Sequence, residues 1–290
     1  MKMAVLIFAL VLASAANAGF ISMTTKADTV VMIGNSSLLN VTVSNSGDEP
    51  AYDVKISLLL ADGFSSESVF AGKIDQNSEY TTTFKIVSEE KKNGEYTFAI
   101  LVEYKDANRY PFSAISPNTI IYNSPSSSRV TATLKQATMQ DRGSTIMSIR
   151  NLDNVSHNVD IMLYLPKELS SLEARKNATL AAGEARQESF VIDNAGALSG
   201  STYAVFAVLS YENGQHYSHV ASSSIAIGEA EETQKSGEEK SIFDKNIILI
   251  VIGALILLLV IYMIYKKLKG RKHEKPPEAE GTQEPQEHNS

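Results

Sequence analysis

The sequence has 290 residues, a formal net charge of −7, and neither cysteine nor tryptophan. Without cysteine the protein can form no disulfide, thiolate metal site or thiol nucleophile, so its domains must be stable through their cores alone. The acidic balance does not suit a nucleic-acid-binding protein, because binding to phosphates requires positive charge.

The first eighteen residues have the pattern of a secretory signal peptide. Lys2 supplies the positive start, and Ala4–Ala13 form an apolar stretch that is too short to span a bilayer. The small-x-small sequence that ends at Ala18 is typical of signal peptidase sites. We therefore expect cleavage between Ala18 and Gly19, and export of the chain that follows.

Two exported segments repeat one pattern in the same order. LNVTVSNSGDEPAYDVKISLLLADGFSSE from Leu39 returns as TIMSIRNLDNVSHNVDIMLYLPKELSSLE from Thr145. Further on, YTFAILVEY from Tyr96 returns as YAVFAVLSY from Tyr203. The offsets are 106 and 107 positions, and ordered matches at a nearly constant offset indicate a duplicated domain.

Each copy has the pattern of antiparallel β-structure. Leu39, Val41 and Val43 alternate with polar residues, which is the period of a strand with one buried face. Turn residues separate such runs at the spacing of a β-sandwich. We expect about seven strands per copy, and those of the first copy are predicted to begin near Thr29, Leu38, Tyr52, Ser68, Tyr80, Tyr96 and Arg109.

The predicted fold class is all-β, with two tandem immunoglobulin-like β-sandwiches and one C-terminal transmembrane helix. The sandwiches are placed at residues 19–122 and 129–227. Asn93-Gly94 and Asn213-Gly214 are both predicted to be hairpin turns.

Polar segments flank the second copy. Residues 123–128 form a short linker, long enough for a hinge but not for wide separation of the sandwiches. Residues 228–245 follow the second copy, and Gly228–Ser241 are highly charged and almost devoid of apolar side chains. We expect this acidic segment to be a flexible stalk, because it cannot bury a core.

Residues 246–265 are the predicted transmembrane helix. Ile247–Tyr265 are nineteen residues without charge or proline, and a helix of that length spans roughly 28 Å, close to the thickness of a bilayer's hydrocarbon core. Lysine and arginine are concentrated directly after it, in the predicted disordered tail 266–290, which places that tail in the cytoplasm. We expect a single-pass protein of the cell membrane with extracytoplasmic sandwiches.

The order of strands and turns in each copy is shared with a known domain type. In the first copy it comprises an alternating strand with an N-x-G turn, a second alternating strand, a T-x-F strand and a G-x-Y strand: Val41–Gly47, Tyr52–Leu58, Thr83–Ile86 and Gly94–Ile100. This order resembles the CARDB-like and S-layer-like immunoglobulin-type domains of archaeal and bacterial envelope proteins. The resemblance implies adhesion, scaffolding or accessory roles at the cell surface, and it brings no catalytic residues with it.

The chain contains no sequence motif of a hydrolase, nucleotide-binding or metalloprotease site. The best metal candidate is His216-x-x-His219, but a spacing of three on a strand places the two rings on opposite faces. The acidic residues near Asp48 and Asp153 supply too few oxygens for Ca²⁺, which takes six or more. We therefore expect no catalytic, cofactor or metal site.

Two further groups of residues stand out. Core packing or a hydrogen bond like that of a tyrosine corner is favoured over a ligand platform for the aromatic residues that the copies share: Tyr96, Phe98, Tyr104, Tyr203 and Tyr211. Possible N-glycosylation acceptors occur four times, which is no enrichment for a chain rich in serine and threonine: Asn35, Asn40, Asn154 and Asn177.

These observations favour a non-enzymatic protein of binding, adhesion or envelope scaffolding. Its expected partners are the lipid bilayer and another envelope or cell-surface protein, and not nucleic acid. An accessory subunit of a membrane complex, such as an exporter, is the alternative. A hydrolase with an unrecognised site also stays open.

Overall fold

The computed structural model describes residues 20–228 and Tyr262. The predicted signal peptide with its cleavage site at Ala18 and Gly19, the stalk beyond Gly228, and the tail lie outside the described residues, as does the predicted membrane helix except for Tyr262. Within residues 20–228 every regular element is a strand, so the all-β prediction is confirmed. Among the described residues, no helix has the length and apolar character needed to cross a membrane.

The first nine strands form one β-sandwich. They are β1 (Met23–Ala27), β2 (Val30–Met32), β3 (Ser36–Asn45), β4 (Ala51–Leu59), β5 (Phe64–Ser65), β6 (Val69–Ile74), β7 (Ser78–Ser88), β8 (Gly94–Lys105) and β9 (Pro111–Tyr122). One sheet has the order β1-β3-β7-β5, and the facing sheet has the order β6-β4-β8-β9-β2. All pairs are antiparallel except β2 with β9, which is parallel.

The second nine strands repeat this arrangement. They are β10 (Val130–Leu134), β11 (Ala137–Met139), β12 (Arg142–Asn151), β13 (His157–Tyr164), β14 (Leu169–Ser170), β15 (Arg175–Leu180), β16 (Ala185–Asn194), β17 (Thr202–Asn213) and β18 (Gln215–Ile227). The sheets have the orders β10-β12-β16-β14 and β15-β13-β17-β18-β11, again with one parallel pair, β11 with β18. Each strand of the first sandwich therefore has its counterpart in the second.

All seven strands predicted for the first copy are present. Two observed strands were not predicted, β1 and β5. Strand β1 has the sequence MTTKA, with little apolar alternation, and β5 is two residues long. Both pair only at a sheet edge, where a strand has one neighbour and a weak hydrophobic signal.

The alternation of β3 produces the expected buried face. Leu39, Val41 and Val43 are buried, and the polar residues between them face outward. They belong to the core of the first sandwich, together with Phe84 of the neighbouring strand β7 and with Phe98 and Ile56 of the facing sheet. The second sandwich has its own core of the same construction.

A buried asparagine supports the same turn in both copies. Asn45 accepts a hydrogen bond from the backbone N–H of Gly47 at 3.0 Å and donates to the carbonyl of Glu49 at 2.7 Å. Asn151 donates to the carbonyl of Val155 at 2.8 Å and accepts from the N–H of Asp153 at 2.9 Å. The side-chain amide thus satisfies backbone groups that the turn leaves unpaired, which allows both asparagines to be buried.

Only one of the two predicted hairpins exists. Asn213-Gly214 joins β17 to β18 as a hairpin, with Glu212 opposite His216. Asn93-Gly94 lies between β7 and β8, which belong to different sheets, so the hairpin prediction was wrong there. A Cβ on Gly94 would lie 1.9 Å from the carbonyl oxygen of His216, so glycine is required for contact with the second sandwich instead.

The sandwiches pack against each other through the outer faces of their larger sheets. Ala99 and Leu101 of β8 and Ile115 of β9 form one apolar cluster with Phe206 and Val208 of β17, and all five are buried. Both sandwiches belong to one compact unit of the chain. Strands β8 and β17 are consequently buried on both faces.

The two copies are packed in opposite directions. Strand β8 is parallel to β18 at the bridge between Gly94 and His216, and β18 is antiparallel to β17. The equivalent strands β8 and β17 therefore run antiparallel, as in a dimer with two-fold symmetry.

The two ends of the molecule contain different segments of the chain. The linker end contains the linker and the Asn213-Gly214 turn, where the N–H of His216 donates to the carbonyl of Asn93 at 2.8 Å. The terminal end contains Phe20 and Gly228. There Ile21 of the first sandwich and Ser201 of the second line one small cavity, and Gly200 bonds to Ile227.

Replacement of Phe206 by alanine should lower the free energy of unfolding by about 3–5 kcal/mol, because it removes a fully buried ring from the contact between the sandwiches. Urea denaturation of residues 20–228 would measure this change. The matched control is Phe70→Ala on edge strand β6, whose side chain is 67% exposed. It should change the free energy by less than about 1 kcal/mol. Equal losses in the two variants would contradict the assigned packing.

Candidate functional site

A large cleft lies between the two sandwiches and reaches inward from the linker end. Its volume is about 1360 Å³, far more than the cavity of about 320 Å³ at the terminal end. Side chains of both sandwiches line it. Large concave surfaces of this kind are where proteins usually bind ligands.

The floor of the cleft is the outer face of the second sandwich. Strand β13 contributes Asn158, Asp160 and Tyr164, and the edge strand β15 contributes Asn177 and Thr179. These residues alternate with the core residues of the same strands, so the pleat places them all on the outer face. Thr179 donates a hydrogen bond to the side-chain oxygen of Asn158 at 2.8 Å.

The opposite wall comes from two loops of the first sandwich, residues 60–62 and 90–92. Lys92 forms an ion pair with Glu212, across the boundary between the sandwiches. On the floor, Arg175 forms an ion pair with Asp160 at 2.9 Å. Both pairs are exposed, so each contributes little to stability, but together they leave few unpaired charges in the cleft.

One side of the cleft is a junction centred on His216. Its imidazole stacks on the ring of Tyr96, with centroids 3.9 Å apart and parallel planes. Ser126 of the linker is buried, donates to the carbonyl oxygen of His216 at 2.7 Å and accepts from the N–H of Glu95 at 3.0 Å. The linker is therefore bonded to both sandwiches.

Beside this junction, Thr97 and Ser218 form a hydroxyl–hydroxyl bond of 2.9 Å. Burial raises the pKa of Tyr96 to about 12, so its hydroxyl stays protonated and donates to the carbonyl of Lys92 at 2.8 Å.

At the terminal end the corresponding space is the smaller cavity of about 320 Å³, which Glu168 and Ser113 line. The buried carboxylate of Glu168 accepts hydrogen bonds from the hydroxyl of Ser113 at 2.6 Å and from the same residue's backbone N–H. Tyr110 donates to the carbonyl of Gly196 at 2.8 Å, and Lys167 forms an ion pair with Glu103. These contacts join the two sandwiches at the terminal end.

The outer strands of the larger sheets are poor templates for an added strand. On β15, Lys176 points inward over the ring of Phe190 at 5.2 Å. On β6, Gly72 has a positive φ of 77°, and the register with β4 shifts at Val54. Inward charges and bulges are features that prevent pairing at sheet edges. Partner contacts through side chains in the cleft are therefore favoured over strand addition.

The two histidines of the candidate metal motif face opposite sides of β18, as their spacing predicted. His216 contacts the first sandwich, whereas the ring nitrogen of His219 lies 3.2 Å from the carbonyl oxygen of Ala132 within the second. Within the described residues, no group of three or more His, Asp or Glu side chains is arranged to hold a metal ion.

The acidic residues near the turns make local contacts. Asp48 accepts a hydrogen bond from the N–H of Phe20 at 2.6 Å, and Asp53 pairs with Lys105 at 2.9 Å. Asp153 lies 3.1 Å from the ring of His157.

The four glycosylation acceptors do not form one site. Asn35 and Asn154 lie in exposed loops at the linker end, and Asn40 lies in the middle of β3, where it accepts a hydrogen bond from Thr83 at 2.7 Å. Asn177 alone among the four lines the cleft. Their modification stays a prediction.

The hydrogen bond predicted for the shared tyrosines is present in both copies. The hydroxyl of Tyr96 bonds to the backbone of Lys92, and that of the equivalent Tyr203 bonds to the backbone of Leu198 at 3.2 Å. Each partner lies four or five positions upstream, as in a tyrosine corner. Four of these aromatic residues are also buried in the cores: Tyr96 and Phe98 in the first sandwich, and Tyr203 and Tyr211 in the second. Tyr104 packs against the core of the first sandwich.

Acidification should loosen the junction between the sandwiches. Burial lowers the pKa of His216 below its ordinary value of 6.5; nearby Glu212 opposes this shift, and Lys91 and Lys92 add to it. The unfolded chain therefore binds this proton more readily than the folded one. Neutral His216 contributes fully to the free energy of unfolding above about pH 6.5, and this contribution declines as the pH falls towards the pKa of the folded protein.

Thermal unfolding between pH 8 and pH 5 would measure this decline. His216→Phe keeps a ring over Tyr96 but cannot be protonated, so its unfolding temperature should depend less on pH than that of the unmodified chain. His219→Gln leaves His216 in place and should retain the dependence. An unchanged pH profile in His216→Phe would contradict the assignment.

Comparisons with known proteins support the domain type. Residues 20–107 match the CARDB family model, which confirms the CARDB-like resemblance for the first sandwich. The S-layer-like part of the resemblance stays a prediction. No curated protein matches the sequence.

Several solved structures match this chain at low identity and low TM-score. The YadV chaperone is 14% identical, with 69% of this chain and 98% of that chain covered and a TM-score of 0.29. A protein of unknown function from Porphyromonas gingivalis W83 is 8% identical, with coverage of 71% and 99% and a TM-score of 0.30. Escherichia coli α2-macroglobulin activated by porcine elastase is 11% identical, with coverage of 73% and 22% and a TM-score of 0.28. These scores carry no inference about function.

Proposed function

We propose that this protein is a non-enzymatic binding protein of the cell surface. The cleft between its two immunoglobulin-like sandwiches holds a component of the envelope, and the C-terminal segment anchors the protein in the membrane. The observation that carries the proposal is the open cleft between two sandwiches that are joined at both ends, by His216 and Ser126 at one and Glu168 at the other. A cleft between fixed walls is preorganised for binding, which reduces the entropy lost when a partner binds.

Phe20 and Gly228 both lie at the terminal end, and the predicted stalk and membrane helix follow Gly228. The matched CARDB domain supports the same non-catalytic class of function.

The absence of cysteine allows a direct test by site-specific crosslinking. Asn158→Cys places a single thiol in the cleft, and Thr42→Cys places one on the exposed outer face of β3. After attachment of a photoreactive maleimide, envelopes of the native cell should yield a crosslinked product from position 158 and not from position 42. Absence of any product at position 158, or identical products at both positions, would exclude the cleft as the binding element.

Exchange of the span tests the accessory-subunit alternative. If residues 246–265 are a simple anchor, replacement by an unrelated apolar helix should leave the crosslinking at position 158 unchanged. Loss of the product with unchanged protein levels would favour an accessory subunit that contacts its complex through the helix. The apolar sequence of this segment carries no charge that would mark a transport path.

A further inference from the structure

We infer that the cleft binds an uncharged carbohydrate chain. This inference rests on the proposed function and specifies the chemical class of the partner. It rests on three properties of the side chains that line the cleft: their charge, their hydrogen-bonding groups and their apolar surface.

The charges of the cleft nearly cancel. Its lining contains four carboxylates and three cationic side chains, namely Asp62, Glu90, Asp160, Glu212, Lys91, Lys92 and Arg175. Four of these seven groups are joined in the pairs Arg175–Asp160 and Lys92–Glu212. A polyanion or polycation would need a surface of one sign. The lining therefore favours a neutral ligand.

Amide and hydroxyl groups supply most of the remaining polar surface. Asn177 is exposed in the floor, and its side chain makes no hydrogen bond to any described residue. Ser210 and Thr179 lie on the same face, and Asn213 lies at the rim. Asparagine and serine both donate and accept hydrogen bonds, and the hydroxyl groups of a sugar do the same. Hydrogen bonds between these side chains and a sugar require no charge on either partner.

A fixed aromatic ring lies in the same floor. Tyr164 is half-buried and stacks on Phe206, with centroids 4.9 Å apart and planes inclined by 13°. Burial raises the pKa of Tyr164, so its hydroxyl stays neutral. Met162 lies two residues before it on the same strand face. A ring beside amide groups can bind both the C–H face and the hydroxyl groups of a pyranose.

A peptide fits the same surface less well. Strand addition at β15 is opposed by the inward Lys176, and the polar floor offers no continuous apolar groove for a helix. Binding of peptides in preference to sugars is therefore an outcome that would overturn the inference.

The test uses the full chain in detergent micelles and an array of neutral oligosaccharides of glucose, galactose, mannose and N-acetylglucosamine. Sulfated and uronic-acid oligosaccharides and a peptide library serve as competing probes. At least one neutral oligosaccharide should bind, with an affinity reduced tenfold or more by Asn177→Ala or Tyr164→Ala. The matched control Asn40→Ala, on the exposed face of β3, should leave the affinity unchanged.

Several results would overturn the inference. They are binding of charged glycans or peptides alone, binding of no probe, and equal binding by the cleft variants and the control. Tyr164→Phe keeps the stacked ring and guards against misfolding of the alanine variant, so it should retain most of the affinity. A glycan attached to Asn177, seen as added mass on that peptide, would occupy the cleft itself and would also overturn the inference.

The two proposals fail separately. Crosslinking at position 158 without binding of any neutral oligosaccharide would leave the binding function in place and remove the carbohydrate class. If neither crosslinking nor oligosaccharide binding is observed, both proposals are excluded.

Discussion

The contact between the outer faces of β8, β9 and β17 is the feature on which the molecule's shape depends. In a single sandwich these faces would meet water, and their apolar residues would be exposed. Here Leu101, Phe206 and Val208 bury one another. The contact joins sheets and not only loops, so the two sandwiches form one compact unit with a large cleft between them.

The two copies have nearly the same topology, but the two ends of the molecule differ. The equivalent strands β8 and β17 run in opposite directions. Each end of the molecule therefore combines loops from one end of the first sandwich with loops from the opposite end of the second. At the terminal end, Glu168 bonds to Ser113 beside the smaller cavity. At the linker end His216 stacks on Tyr96, and both residues line the large cleft. A duplicated unit thereby acquires a large cleft that different elements of its two copies line.

Part of the candidate site could have been recognised in the sequence. The strands YTFAILVEY and YAVFAVLSY carry apolar residues at outward positions, Ala99 and Leu101 in one and Phe206 and Val208 in the other. A strand with one buried face would have polar residues there. This pattern indicates a second buried face, but it does not say what covers it. The cleft residues leave no signal of their own, because amides and hydroxyls on an outer face look like ordinary solvated surface.

The sequence by itself determined the all-β class, the duplicated unit and most of its strands, because period-two burial and turn chemistry are local properties. Only the tertiary structure decided the orientation of the copies and the existence of the cleft. Those depend on contacts between residues about a hundred positions apart, such as Thr97 with Ser218. Gly94 shows the difference. The Asn93-Gly94 sequence predicted a hairpin, whereas glycine is required there because the backbone of His216 from the other sandwich leaves no space for a Cβ.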